Sequence, residues 1–574
     1  MGSMVRSYSK INAADQARLE ARRKTFKRTL IIALSSFALV GIIVAAVVGT
    51  TVHNDKSGGG SNEPQSMSTS VKAACDVTLY KDTCMSSLTP MVGSTGEIKP
   101  EDIFRISIQV ALQELAKVVS YFSGGDGGLV AASDGMSASV VGNCRDLLGL
   151  ALDHLNMSLA SASGVSSLVD AVVDLRSWLS TAVTCQHTCI DGFLESAELV
   201  QMHDGVQNRL QSSTELTSNS LAIVTWLSNI LSTFKLRKLL SHRGDEMPEW
   251  VSPGDRKLLQ STDLRSQANA VVAKDGSGKY KTIGAALAAV PSNSNKRFVI
   301  YVKKGVYNEH VVVDKTKWNV VMVGDGMDVS IVTGNLNVVD GTPTFSSATF
   351  SVFGQGFIAR DMGFVNTAGA IKQQAVALQS SADLSIFYRC RIDAFQDTLY
   401  VHTNRQFYRD CNISGTVDFI FGNSAVVLQN CNIHPKKPIL GQQNTLTAQG
   451  KIDPNQNTGI VIHNCTIWPG ANLTSVQTYL GRPWKNYSTT VYTKTYMPGI
   501  IAPQGWLPWV GTTAPNTIFY AEFQNYGAGA STKGRVNWKG LKFISASQAS
   551  KFSVSSFIQG GKWIDKTIPY NPNL

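Results

Sequence analysis

Four short segments in the second half of this chain share one pattern: Tyr388-Arg-Cys-Arg-Ile392, Tyr408-Arg-Asp-Cys-Asn-Ile413, Leu428-Gln-Asn-Cys-Asn-Ile433 and Ile462-His-Asn-Cys-Thr-Ile467. Their Cys-x-Ile cores start at 390, 411, 431 and 465, so the first two intervals are 21 and 20 residues and the third has room for an inserted loop. A strand-rich unit of this length cannot bury its apolar face alone. It must stack like residue over like residue, which predicts a solenoid of the parallel β-helix type.

The residues around the repeat agree. From Ala268 onward the runs Phe298-Val-Ile-Tyr-Val302, Val311-Val-Val313, Val320-Val-Met-Val323 and Val426-Val-Leu428 alternate with Gly and Asn, as strands do, and only 281–290 has the spacing of a short helix. Stacked coils lie about 4.8 Å apart. That brings Cys411 and Cys431 within reach of a disulfide, whose Cα atoms sit about 5.5–6 Å apart, and leaves Cys390 and Cys465 as buried thiols of the same ladder.

The same register pairs two acids. Asp397 follows Cys390 by seven residues and Asp418 follows Cys411 by seven, so both take one position on successive coils. Two carboxyls one strand spacing apart cannot both ionise cheaply, so one keeps its proton while the other is a carboxylate. A nucleophile and a general acid need that division. A single Asp in a β-helix turn is more often structural, and the neighbourhood is what sets this pair apart. Gln396 adjoins Asp397, Gln374 lies 22 residues before it, and Asp418 sits in the apolar run Val417-Asp-Phe-Ile-Phe421. Side-chain amides beside two acids can hold the oxyanion of an acyl-transfer intermediate.

The first half has a different character. Apolar residues recur at helical spacing through Ile103 to Val118, Leu147 to Leu159 and Leu168 to Val183, which predicts an antiparallel helical bundle over about Cys75 to Leu231. Before it, Lys56 to Ser70 reads as a flexible Gly-, Ser- and Asn-rich stalk. Thr29 to Val52 holds no charge and follows the basic run Arg22, Arg23, Lys24, Lys27 and Arg28. It reads as a signal-anchor that keeps residues 1–28 in the cytosol, with a cleaved signal peptide as the rival. Either way the bulk of the chain is lumenal or extracellular. Sequons at Asn156, Asn412, Asn464, Asn472 and Asn486, and nine cysteines, suit that compartment.

Charge divides the chain in the same place. From Gln260 to the end there are 29 Lys and Arg against 16 Asp and Glu, whereas residues 29–259 carry 15 against 23. An acidic middle part would attract a basic C-terminal part, and with no nucleic-acid motif the natural polyanion for the basic part is an acidic polysaccharide. Between them the tetrapeptide Arg-Lys-Leu-Leu occurs twice, with Arg237 and Lys238 in one copy and Arg256 and Lys257 in the other. Paired basic residues in an exposed linker suit a secretory-pathway processing protease; a basic helix end is the alternative.

From about Ala268 to the C-terminus the sequence resembles the plant pectin methylesterases, on G-T-P-T-F (341–345), Q-A-V-A-L (374–378), Q-D-T-L-Y (396–400), D-F-I-F-G (418–422) and L-G-R-P-W (480–484). The resemblance implies a right-handed parallel β-helix that hydrolyses pectin methyl esters. It makes Asp418 the nucleophile and Asp397 the proton donor and later base. Gln374 and Gln396 would hold the oxyanion, Arg482 would hold Asp418 ionised, and Thr344 and Trp484 would contact the sugar. Arg-x-Trp could also be simple packing, although Trp is the best flat apolar face for a pyranose. The region Cys75 to about Leu231 is similar to the pectin methylesterase and invertase inhibitors, on Cys75, Cys84, Cys144 and Thr188-Cys-Ile-Asp-Gly-Phe193. That resemblance implies a four-helix bundle with the pairs Cys75–Cys84 and Cys144–Cys189, and leaves Cys185 free or competing with Cys189.

The expected organisation is a cytosolic tail 1–28, an anchor 29–52, a stalk 53–70, an inhibitor-like pro-region 71–234, a processing linker 235–260 and an esterase 261–574. The expected partners are methylated pectin, inhibitor proteins and the chain's own pro-region, with the precursor in the secretory-pathway membrane and the mature enzyme in the cell wall. No cofactor, metal or nucleic acid is expected. The rival enzyme, a β-helix polygalacturonase, would bring an adjacent Asp pair and a Gly-His-Gly, and neither occurs. No G-x-S-x-G or His-pair metal spacing occurs either. A non-catalytic inhibitor or wall-binding protein is the other class carried.

Overall fold

The computed structural model describes residues 65–92, 100–123, 135–162, 165–235 and 264–574. The basic tail, the apolar span 29–52 and the linker with Arg237, Lys238, Arg256 and Lys257 lie outside the described residues. Among the described residues no helix is long and apolar enough to cross a membrane.

The first half is helical. Two short helices, α1 (Gln65–Cys75) and α2 (Lys81–Leu88), precede four long ones, α3 (Pro100–Phe122), α4 (Gly135–Ser161), α5 (Val165–Gly192) and α6 (His203–Lys235). The expected periodic stripes face inward: Leu147, Leu148, Ala151 and Leu155 of α4 and Leu175, Leu179 and Ala182 of α5 are buried in one core. Each of these leucines contributes roughly 1.5–3 kcal/mol by leaving water. Disulfides join Cys75 to Cys84 and Cys144 to Cys189. Cys185 stays a buried thiol and does not compete for Cys189. One boundary moves. Helix α1 begins at Gln65, inside the stretch read as a stalk, because Val71, Ala74 and Cys75 are drawn into the bundle core and the Cys75–Cys84 bridge pins its end.

From Leu264 the chain winds into a parallel β-helix of three sheets, with eleven, seven and seven strands among the described residues. The repeat sets the register. Ile392, Ile413, Ile433 and Ile467 pair in sequence from coil to coil and stack as one buried column. Each coil turns one residue ahead of the Cys column through a left-handed position, occupied by Arg389, Asp410, Asn430 and Asn464. Asn and Asp tolerate that conformation better than other residues with a Cβ, which explains the Asn in the motif.

The Cys411–Cys431 disulfide does not form; Cys390, Cys411, Cys431 and Cys465 are all buried free thiols. A disulfide needs the right side-chain direction as well as a short separation. In-register parallel coils keep successive Cβ vectors parallel and side by side in the core, so neighbouring sulfurs touch without turning into the crossed geometry a disulfide needs. Cys411 Sγ donates to the Phe387 carbonyl at 3.3 Å and Cys465 Sγ to the Leu428 carbonyl at 3.4 Å.

Candidate active site

The second sheet carries the acids. Asp397 lies two residues before the strand Leu399–Val401 and Asp418 two before Ile420–Gly422, and these strands pair Leu399 with Ile420. Coil stacking thus puts the two acids in equivalent places, each in the left-handed region with φ of 60° and 50°. Gln374 and Gln396 meet in a parallel bridge one coil earlier, and Gln374 Oε1 is buried without a hydrogen-bond partner among the described residues. Arg482 follows the strand Thr478–Gly481. A side chain on Gly481 would meet the Thr447 carbonyl oxygen at 2.6 Å, so only glycine lets this coil close and deliver the arginine.

The two carboxyls have opposite surroundings. Arg482 grips Asp418 from one side, Nε donating to Oδ1 at 2.9 Å and to Oδ2 at 3.1 Å, and Nη2 to Oδ2 at 2.7 Å. Thr445 Oγ1 adds a bond to Oδ1 at 2.6 Å. Such a fork is the strong form of charge-assisted pairing. Asp397 has no such partner. Burial, then the charges of Asp418 and Glu195, push its carboxyl well above the usual carboxylate range against the opposing pull of Arg482. Thr344, Gln374, Gln396, Asp397, Asp418, Arg482 and Trp484 all line one cavity of about 240 Å³. Every catalytic and sugar-contact residue named from the sequence therefore reaches a single site.

Residues 269–561 match the family model described as Pectinesterase, and residues 69–223 match the one described as Plant invertase/pectin methylesterase inhibitor. A pectinesterase/pectinesterase inhibitor of Arabidopsis thaliana is 52% identical over 571 residues, covering 99% of either chain. The chain belongs to the pectinesterase family. Pectinesterase 3 of Phaseolus vulgaris is 46% identical over 97% of each chain. Among solved structures, the pectin methylesterase from carrot is 54% identical with a TM-score of 0.53, spanning 54% of this chain and 98% of its own. Pectinesterases are carboxylic ester hydrolases, and the three stacked parallel sheets match the right-handed β-helix of that fold.

In this pectinesterase the inhibitor-like bundle closes the cleft. Glu195, just after α5, accepts from the Thr344 backbone N–H at 2.7 Å, and Asn143 of α4 accepts from Ser346 Oγ at 2.6 Å. Lys485 pairs with Asp191 at 2.8 Å and Arg405 with Asp174 at 2.7 Å. Arg405 also holds Asp383 of the preceding coil at 2.6 Å, and both are almost fully buried. The attraction expected between an acidic first part and a basic second part is thus resolved into particular pairs.

Several cavity residues escaped the sequence reading. Tyr400 and Phe421 stack at 4.2 Å on successive coils and wall the cavity. Their places inside Q-D-T-L-Y and D-F-I-F-G were the available signal. Trp509, over which the Arg482 guanidinium lies at 4.3 Å, comes from a distant loop and carries no local signal. Four of the five sequon asparagines, Asn156, Asn464, Asn472 and Asn486, are exposed; Asn412 is half-buried in a side-chain ladder with Asn432.

Proposed function

We propose that this pectinesterase cleaves pectin methyl esters through a covalent intermediate on Asp418. An Asp418 oxygen attacks the ester carbonyl carbon, and the amides of Gln374 and Gln396 hold the oxyanion. The carbonyl reforms as the bond to methoxide breaks, and Asp397 gives that oxygen its proton, releasing methanol. Asp397, now a carboxylate, takes a proton from water, whose oxygen attacks the acyl carbon. Asp418 leaves as a carboxylate and the galacturonate acid remains. Thr344 and Trp484 position the sugar. The observation that carries this reading is the asymmetry of the pair: an Arg-forked carboxylate beside a buried acid that favours its proton.

The bundle over the cleft supports a latent precursor. Glu195 and Asp191 of the bundle line the cavity that holds the two acids, so the docked bundle would bar polymer until it leaves. Cutting at Arg237-Lys238 or Arg256-Lys257 would release it, after passage through the secretory pathway from an anchored, N-glycosylated precursor to the cell wall. The test is methanol release from methylated pectin by the intact chain and by the fragment 264–574. The fragment should be active and the intact chain much less so, and Asp418→Asn should abolish the fragment's activity. Full activity in that variant removes the nucleophile assignment.

A further inference from the structure

The bundle meets the cleft with carboxylates, and the way one of them is held indicates what the open cleft binds. Lys485 Nζ bonds Asp191 Oδ1 at 2.8 Å, with about a quarter of each side chain exposed. Among the described residues this is the ion pair of Lys485, and no acid of the β-helix shares it. Arg405, the other cation gripped by α5, differs in kind because Asp383 on the preceding coil already matches its charge. Removal of the bundle leaves Arg405 paired and Lys485 unpaired. Lys485 also sits beside the reaction centre: its Nζ lies 5.5 Å from the Trp484 ring, and Trp484 lines the cavity that holds Asp397 and Asp418. The Lys485 backbone is fixed by Ser488, whose Oγ accepts from the Lys485 N–H at 3.2 Å and donates to its carbonyl at 2.7 Å.

We infer that Lys485 is a specificity-determining residue that binds a free galacturonate carboxylate on a sugar adjoining the ester being cut. Asp191 occupies that place in the uncleaved chain as a mimic of the substrate's own acid group. The inference rests on the esterase reading above and adds the ionisation state of the preferred substrate. An ammonium on a flexible stem suits a carboxylate arriving on a sugar stacked over Trp484, and it gains nothing from a neutral methyl ester in the same place. The enzyme with an open cleft therefore favours esters next to sugars that already carry a free acid.

The carrot structure spans only the β-helix part, so the fragment 264–574 is a body that folds alone and can serve as the test enzyme. Methanol release is measured on fully methylated oligogalacturonates and on the same lengths with about half of the esters removed. Lys485→Met should shift the ratio of the two kcat/KM values about tenfold against the partly de-esterified substrate, through KM more than kcat. Lys485→Arg should restore most of the preference, and high salt should erase it in the unmodified fragment. An unchanged ratio in a Lys485→Met fragment that melts like the parent overturns the inference. If the parent fragment released no methanol from either substrate, the esterase reading would fail instead. Calorimetric binding of unesterified oligogalacturonate would still decide the role of Lys485, weaker binding in Lys485→Met supporting it and equal binding overturning it.

Discussion

Arg482→Met in the fragment 264–574 probes the asymmetry on which the chemistry depends. Arg482 supplies three contacts to Asp418, between 2.7 and 3.1 Å, and the Asp418 side chain is only 6% exposed. Removing one partner of a buried ion pair costs about 3–5 kcal/mol, because the remaining charge is left without compensation. The Arg482 side chain is 23% exposed, and water reaching the vacated space places the loss near the lower end, about 3 kcal/mol. If that loss falls on the transition state it lowers kcat about a hundredfold, at about 1.4 kcal/mol per factor of ten. If it falls on the fold it lowers Tm by about 6 °C, at about 2 °C per kcal/mol for a domain of this size. Arg482→Lys keeps the charge but not the fork, and should lose about tenfold in kcat. The assays are methanol release at saturating methylated pectin and calorimetric melting. A kcat within threefold of the parent for Arg482→Met refutes the reasoning; an unchanged kcat with a lowered Tm assigns Arg482 to the fold alone.

Three further outcomes follow from the same structure. Alkylation of the unfolded, unreduced chain should label five thiols, Cys185, Cys390, Cys411, Cys431 and Cys465, whereas a Cys411–Cys431 bridge would leave three. Asp397→Asn should inactivate the fragment, and in the intact chain it should raise the Tm at neutral pH. Burial and the Asp418 charge raise the folded carboxyl above its unfolded value, so its contribution to stability is present in acid and lost as pH rises through the folded value. The gain in Tm should therefore vanish in acid, and a Tm difference independent of pH would contradict it. Glu195 is raised chiefly by burial, with Asp191 adding and the Thr344 bonds opposing. Its docked form favours the proton, so the bundle should hold the cleft most firmly in acid and loosen as pH rises through that raised value. Glu195→Gln should keep the intact chain latent at higher pH, read as methanol release against pH, and an unaltered profile would discard the link.

Much of the fold was legible because a solenoid writes its geometry into sequence. The 21- and 20-residue intervals between Cys390, Cys411 and Cys431 define which residues stack, and Asp397 and Asp418 inherit that register through their equal offsets. The helical stripes of α3 to α5 were equally local, since burying one face of a helix requires apolar residues every three or four positions. The start of α1 was not local. Its segment is short and rich in Ser, so its few apolar residues stand out little along the chain, and it is anchored as a helix through Val71, Ala74 and the bridge at Cys75.

Period, charge division and motif order, all read along the chain, were enough to give a coiled strand domain behind a helical one and two acids on neighbouring coils. The direction of a side chain and the contacts between distant segments required the assembled molecule. Parallel coils turn Cys411 and Cys431 side by side into the core, so nearness did not become a bond. Asp191 and Lys485, 294 residues apart, meet only because the bundle lies across the cleft. A periodic sequence repeats a local environment and so records it, whereas a contact between two different bodies has no period and is fixed only when their surfaces pack.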